Sequence, residues 1–202
     1  NKLSKYGDAS IITKSILKVS VYFLPSIFQM TGLVDSLLGL FIAWFTMGLG
    51  MAGVGMVLMH DANHRSFSKN PKVNKWLSKS LYFLGGLPPN WRHQHNTLHH
   101  GFTNIEGHDE DINTPPILRL SPHKPLLKAH RYQYIYAWFL YSLMTIMWVT
   151  TKDFVQLNRY RKSGKSISNT KKYSQLFLDL IIAKLSFYII FIALPLIILP
   201  FA

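Results

Sequence analysis

Residues 37–59 contain no charged side chain, and this run constrains the chain more than any other feature. A helix rises about 1.5 Å per residue, so the run can cross a hydrocarbon core of about 30 Å. It holds Gly48, Gly50, Ala52, Gly53 and Gly55, small residues that let a neighbouring helix approach closely. The expected neighbour is 19–34, a shorter apolar stretch containing Pro25 and Gln29, with Lys18 placed to snorkel at its start. Residues 31–36 lack Lys and Arg, which suits the outer tip of a transmembrane helical hairpin.

The chain is 49% hydrophobic yet carries a formal net charge of +13. Its basic residues flank apolar runs, which fits the loops of a membrane protein and excludes a nucleic-acid binder read from charge alone. Residues 60–131 hold twice as many Lys and Arg as Asp and Glu, so they are expected on the cytoplasmic side. The tail with Lys2, Lys5 and Lys14 belongs there too. The apolar run 132–151 is long enough to span, but Lys152, Arg159, Arg161, Lys162, Lys165, Lys171 and Lys172 follow it. Its Tyr and Trp residues favour the headgroup level, so a helix at the cytoplasmic interface is expected. Residues 185–202 then form a third span with Lys184 at its inner edge. The expected fold is an all-α membrane protein. A single domain over 1–202 places spans at 19–34, 37–59 and 185–202 around a cytoplasmic helical cap, 60–184.

Cysteine is absent, so any metal must be held by nitrogen or oxygen ligands. Six of the nine histidines fall between 60 and 100. His60 and His64 follow the long span in His60-Asp61-Ala62-Asn63-His64, and residues four apart share one helix face. His95 and His99 repeat the spacing in His95-Asn96-Thr97-Leu98-His99-His100, while an ideal α-helix turns His100 roughly 100° away. Histidines diverging in that way can serve two metals. Imidazole ligands alone leave iron, zinc, copper and nickel all open. Asp61 stands where a zinc protease motif needs Glu, so that reading fails.

H-x3-H at the end of a span, followed by H-x3-HH, resembles the first two histidine boxes of membrane fatty acid desaturases. The text Trp91-Arg92-His93-Gln94-His95-Asn96-Thr97-Leu98-His99-His100, running on to Thr103-Asn104-Ile105-Glu106-Gly107-His108-Asp109-Glu110-Asp111-Ile112, looks like the acyl-CoA or acyl-lipid branch that includes linoleoyl-CoA desaturases. The resemblance implies two iron ions as cofactor, with His60, His64, His95, His99 and His100 among their ligands. It implies O2 as co-substrate and removal of two hydrogens from a fatty acyl-CoA or acyl-lipid. It also implies a separate electron donor such as ferredoxin or cytochrome b5. The family's third box, H/Q-x2-HH, is missing, since no histidine follows His130. The chain starts at Asn1 and ends within an apolar run, so it is expected to be a fragment, inactive by itself.

Asp109 and Asp111 are expected to hydrogen-bond ligand imidazoles, and Asp61 to support the first pair. Trp91 is expected to wall the acyl chain, and Arg92 to attract phosphate. His93 and His108 are not expected as ligands, and His123 and His130 are expected at the interface. A related di-iron lipid hydroxylase or epoxygenase shares the boxes and stays open. So does a non-catalytic truncated membrane protein. A metal transporter is disfavoured because the spans hold few polar residues.

Overall fold

The structure is a computed structural model that describes residues 4–198. Every regular element among these residues is helical, and no strand is present. Three helices are long and apolar enough to cross a membrane: α1 (Ala9–Met30), α2 (Leu37–Asn63) and the helix Tyr173–Ile198. The chain is an all-α membrane protein. It divides into two compact units, one holding the described residues up to Gly85 and those from Ile181 onward, the other Gly86–Leu180.

In the first unit α1 begins ten residues earlier than hydropathy suggests. Asp8 is its N-cap and accepts from the Ile11 amide, so the helix starts there and carries Lys14 and Lys18 within it. Lys18 lies inside this helix, and its alkyl stem packs on Gly53. The helix stops at Thr31, with Gly32 in the left-handed region at φ 74°. The Ser36 hydroxyl then caps α2 by accepting from the Gly39 amide at 3.1 Å. Gly50 lies against the α1 backbone at Val21 and Tyr22, so a side chain there would collide with main chain. Small residues in α2 thus set the packing of the hairpin.

α2 is not uniform. Residues Val54–Met59 form a π-helical stretch, after which α-helical geometry resumes over His60–Asn63. The first histidine pair therefore continues the second span. Next comes α3 (Pro71–Leu77), capped by Asn70 and opened by Pro71, and a 3-10 helix, Ser78–Leu84. The Tyr22 hydroxyl donates to the Phe83 carbonyl at 2.7 Å. Tyr22, Phe23, Phe83, Phe187 and Phe191 make an aromatic cluster in this unit, in which Tyr22, Phe187 and Phe191 are buried.

The second unit contains α4 (Pro88–Arg92), which runs into a π-helical stretch, His93–His99. A long irregular segment and a short 3-10 helix, Lys128–Tyr132, lead to α5 (Gln133–Val149) and α6 (Lys152–Lys162). α5 occupies the place of the expected interfacial helix and buries none of its residues. The helix Tyr173–Ile198 is α7. It starts well before 185, so Lys184 lies inside it and is buried. Pro195 cannot donate to the carbonyl four residues back, and the helix loosens into a π turn over Ile189–Ala193 ahead of it. The end of the expected third span, 199–202, lies outside the described residues.

Candidate metal centre

Two helix ends carry the histidines. In the first unit, the His60 and His64 rings lie with centroids 4.5 Å apart, one turn along the helix. The His60 Nδ1 atom is 3.1 Å from the Asp61 carboxylate. Asp61 also turns the chain: its carbonyl accepts from the amides of Ser66 and Phe67.

In the second unit the π turn changes the expected geometry. A residue five positions on completes a π turn, and the His100 amide donates to the His95 carbonyl at 3.0 Å. His100 accordingly swings back to His95 instead of diverging by 100°. Their Nε2 atoms are 3.3 Å apart. The His95 and His99 rings stack with centroids 5.3 Å apart, and the His99 and His100 centroids are 5.2 Å apart. Three imidazoles form one cluster.

Carboxylates hold this cluster from behind. His99 Nδ1 donates to Asp109, with Oδ1 at 3.1 Å and Oδ2 at 3.2 Å. Asp109 is fully buried, and its oxygens also accept from the backbone amides of Asn104 and Asp111. Burial alone would raise its carboxyl pKa, but these amides and His99 together hold it below the usual carboxylate range. Asp111 is lowered as well, first by the neighbouring His95, against burial, and further by Gln94. Its Oδ2 lies 3.7 Å from His95 Nδ1 and 3.4 Å from His99 Nδ1. His99, Asp109 and Asp111 bring ligand-type atoms within 4.8 Å of one another. Both Asp109 oxygens are already committed to backbone donors, so this carboxylate orients His99 rather than competing for a cation.

Trp91 is buried and lies over the His95 ring with centroids 4.5 Å apart, while Arg92 closes α4. His93 is packed edge-on to Tyr160 and is shifted below its ordinary pKa, by burial first and by Lys165 next. His108 contacts Phe102, and His130 bridges the Leu127 amide and the Pro116 carbonyl. None of these three joins the cluster. Gln94 and Gln156 do belong to its support, although no spacing in the sequence marks them.

The family model described as fatty acid desaturase matches residues 35–202.

The chain belongs to the fatty acid desaturase family.

Among relatives, an sn-1 linoleoyl-lipid 6-desaturase of Synechocystis is 34% identical over 69% of this chain and 36% of its own length. An acyl-lipid (8-3)-desaturase of Physcomitrium patens is 31% identical over 77% of this chain and 32% of its own. A probable Delta(5) fatty acid desaturase C of Dictyostelium discoideum is 41% identical over 44% and 20%. The chain spans about a third of the length of the first of these desaturases. No solved structure matches it.

The family implies iron, and the second-unit cluster fits such an ion. Two nitrogens in one coordination sphere, each about 2.1 Å from a metal, sit roughly 3 Å apart. The His95 and His100 Nε2 atoms have nearly that separation. His99 donates through Nδ1, which leaves Nε2 as the nitrogen available to a metal.

Proposed function

We propose that the full-length protein is an O2-dependent fatty acyl desaturase, and that His60, His64, His95, His99 and His100 are ligands of its di-iron centre. The observation that carries this reading is the imidazole cluster of the second box, oriented by the buried Asp109. Removing hydrogens from an unactivated methylene pair is beyond amino-acid acids and bases; bound iron supplies the O2 activation. The side chains supply its setting. Asp109 keeps the proton of His99 on Nδ1, and Asp61 does the same for His60. The indole of Trp91 shields one face of His95 and offers an apolar wall to an acyl chain.

A substrate of that kind has somewhere to lie in the first unit. A cavity of about 660 Å³ is lined by Ile16, Val19, Phe23, Leu58, Trp76 and Phe83 among others. Its apolar walls suit a fatty acyl chain. The relatives named for linoleoyl-lipid and acyl-lipid substrates point to a glycerolipid rather than a soluble acid. The basic segments favour the cytoplasmic side for both boxes, where a carrier such as ferredoxin or cytochrome b5 would deliver electrons, with α5 lying along the interface. Five imidazoles do not fill the family's two-iron ligand shell, so the remaining ligands come from a third box in the full-length protein.

The test is fatty-acid analysis of a host expressing the full-length protein. A new acyl double bond, absent with His99→Ala or His60→Ala, is expected. A hydroxy or epoxy fatty acid instead would move the protein to the hydroxylase class, and an unchanged profile would refute the reading.

A further inference from the structure

We propose that Gln94 is a positioning residue for the second histidine box, and that α6 holds it in place through Gln156 and Lys152. The inference rests on reading these histidines as metal ligands. Gln94 Nε2 donates to Asp111 Oδ1 at 2.9 Å, and the other Asp111 oxygen faces both His95 and His99. On its opposite side, Gln94 Oε1 accepts from Lys152 Nζ at 2.7 Å and from Gln156 Nε2 at 2.9 Å. A carboxylate only accepts and an ammonium only donates. The side chain that joins them must offer a donor to one and an acceptor to the other, which an amide does. Glu would repel Asp111, Lys would repel Lys152, and Met would meet neither.

Gln156 is fixed in turn. It is buried, donates also to Glu110 Oε2 at 2.9 Å, and accepts from Asn90 Nδ2 at 3.1 Å. Glu110 is anchored by the Tyr160 hydroxyl at 2.8 Å and by Arg159 at 2.7 Å. Asn90 Nδ2 also donates to the buried Asp153 at 2.7 Å. Gln94 Oε1, Gln156 Nε2 and Asn90 Nδ2 each bridge two partners along this path, so the orientation of Asp111 follows from α6. Outer hydrogen-bond partners of metal-binding histidines set ring orientation and ligand basicity. The relay makes α6, some sixty residues from the box, part of the metal centre without lending it a ligand.

The experiment titrates metal-free full-length protein, purified in detergent, with Co2+ and follows visible absorption at several pH values. Wild type and His99→Ala define the intact and broken sites. Gln94→Met and Gln156→Met are expected to weaken Co2+ binding about 10- to 100-fold, to move the pH at which binding is half complete, and to alter the absorption band. Tyr22→Phe removes a hydrogen bond of the first unit, outside this network; it is expected to lower the melting temperature and leave Co2+ affinity and spectrum unchanged. Gln156→Met carries the test from another helix should Gln94→Met fail to fold. Wild-type binding and spectrum in both Met variants, with His99→Ala broken, would overturn the relay while the metal site stands. No Co2+ binding by wild type, or wild-type binding by His99→Ala, would overturn the metal reading and the relay together.

Discussion

His99 Nδ1 sits 3.1 Å from the Asp109 carboxylate, which is fully buried and held by two backbone amides of its own loop. The loop is built around this one carboxylate. Asn104 takes a left-handed conformation, φ 63°, as the chain turns to present its amide to Asp109. Folding the loop and aiming the imidazole are therefore a single event.

Replacing Asp109 with Asn tests that coupling. Both carboxylate oxygens accept from backbone donors, so an amide must turn its own NH2 toward one of them. The substitution is expected to destabilise the protein by about 1–3 kcal/mol, as expected for an unsatisfied buried polar group. It is also expected to weaken metal binding at the second box about 10- to 100-fold. Thermal unfolding and metal titration of Asp109→Asn measure the two effects.

The pair spacings of His60 with His64 and of His95 with His99 were readable from sequence because helical neighbours recur at four residues. The charge-free run 37–59 was readable for a similarly direct reason, since a hydrocarbon core excludes charge. The start of α1 was not: Lys14 and Lys18 lower its hydropathy, and the Asp8 cap that fixes the boundary acts through local hydrogen bonding. The return of His100 toward His95 was hidden because one extra residue in a helical turn leaves no mark in the spacing. Gln94 and Gln156 were hidden because their bond joins segments 62 positions apart.

Close approach of the hairpin helices is expected to depend on Gly50 and not on Gly48. An added Cβ at Gly50 meets the backbone of Tyr22, whereas at Gly48 it meets nothing. Gly50→Ala is expected to destabilise by about 1–3 kcal/mol through overpacking, and Gly48→Ala to be neutral or slightly stabilising. Melting temperatures of the two variants in detergent check the contrast.

The Tyr160 phenol is pushed far above its ordinary pKa, by burial first and by the neighbouring Glu110 carboxylate. The folded state binds this proton more tightly than the unfolded state. Its stability contribution is therefore complete below a pH of about 10 and is lost as pH rises toward the higher folded value. Tyr160→Phe is expected to lower stability at neutral pH by about 1 kcal/mol and to flatten the decline above pH 10. Urea unfolding of both proteins at pH 8 and pH 11 measures the difference.

Iron-dependent formation of a double bond by the purified full-length protein is the most direct measurement. The protein is loaded with iron without O2, supplied with a chemical reductant and an acyl-lipid, and exposed to a pulse of O2. The expected result is a double bond formed in proportion to bound iron, with none after chelation and none in His99→Ala. Equal product from chelated protein, or from His99→Ala, would contradict a metal centre built on these histidines.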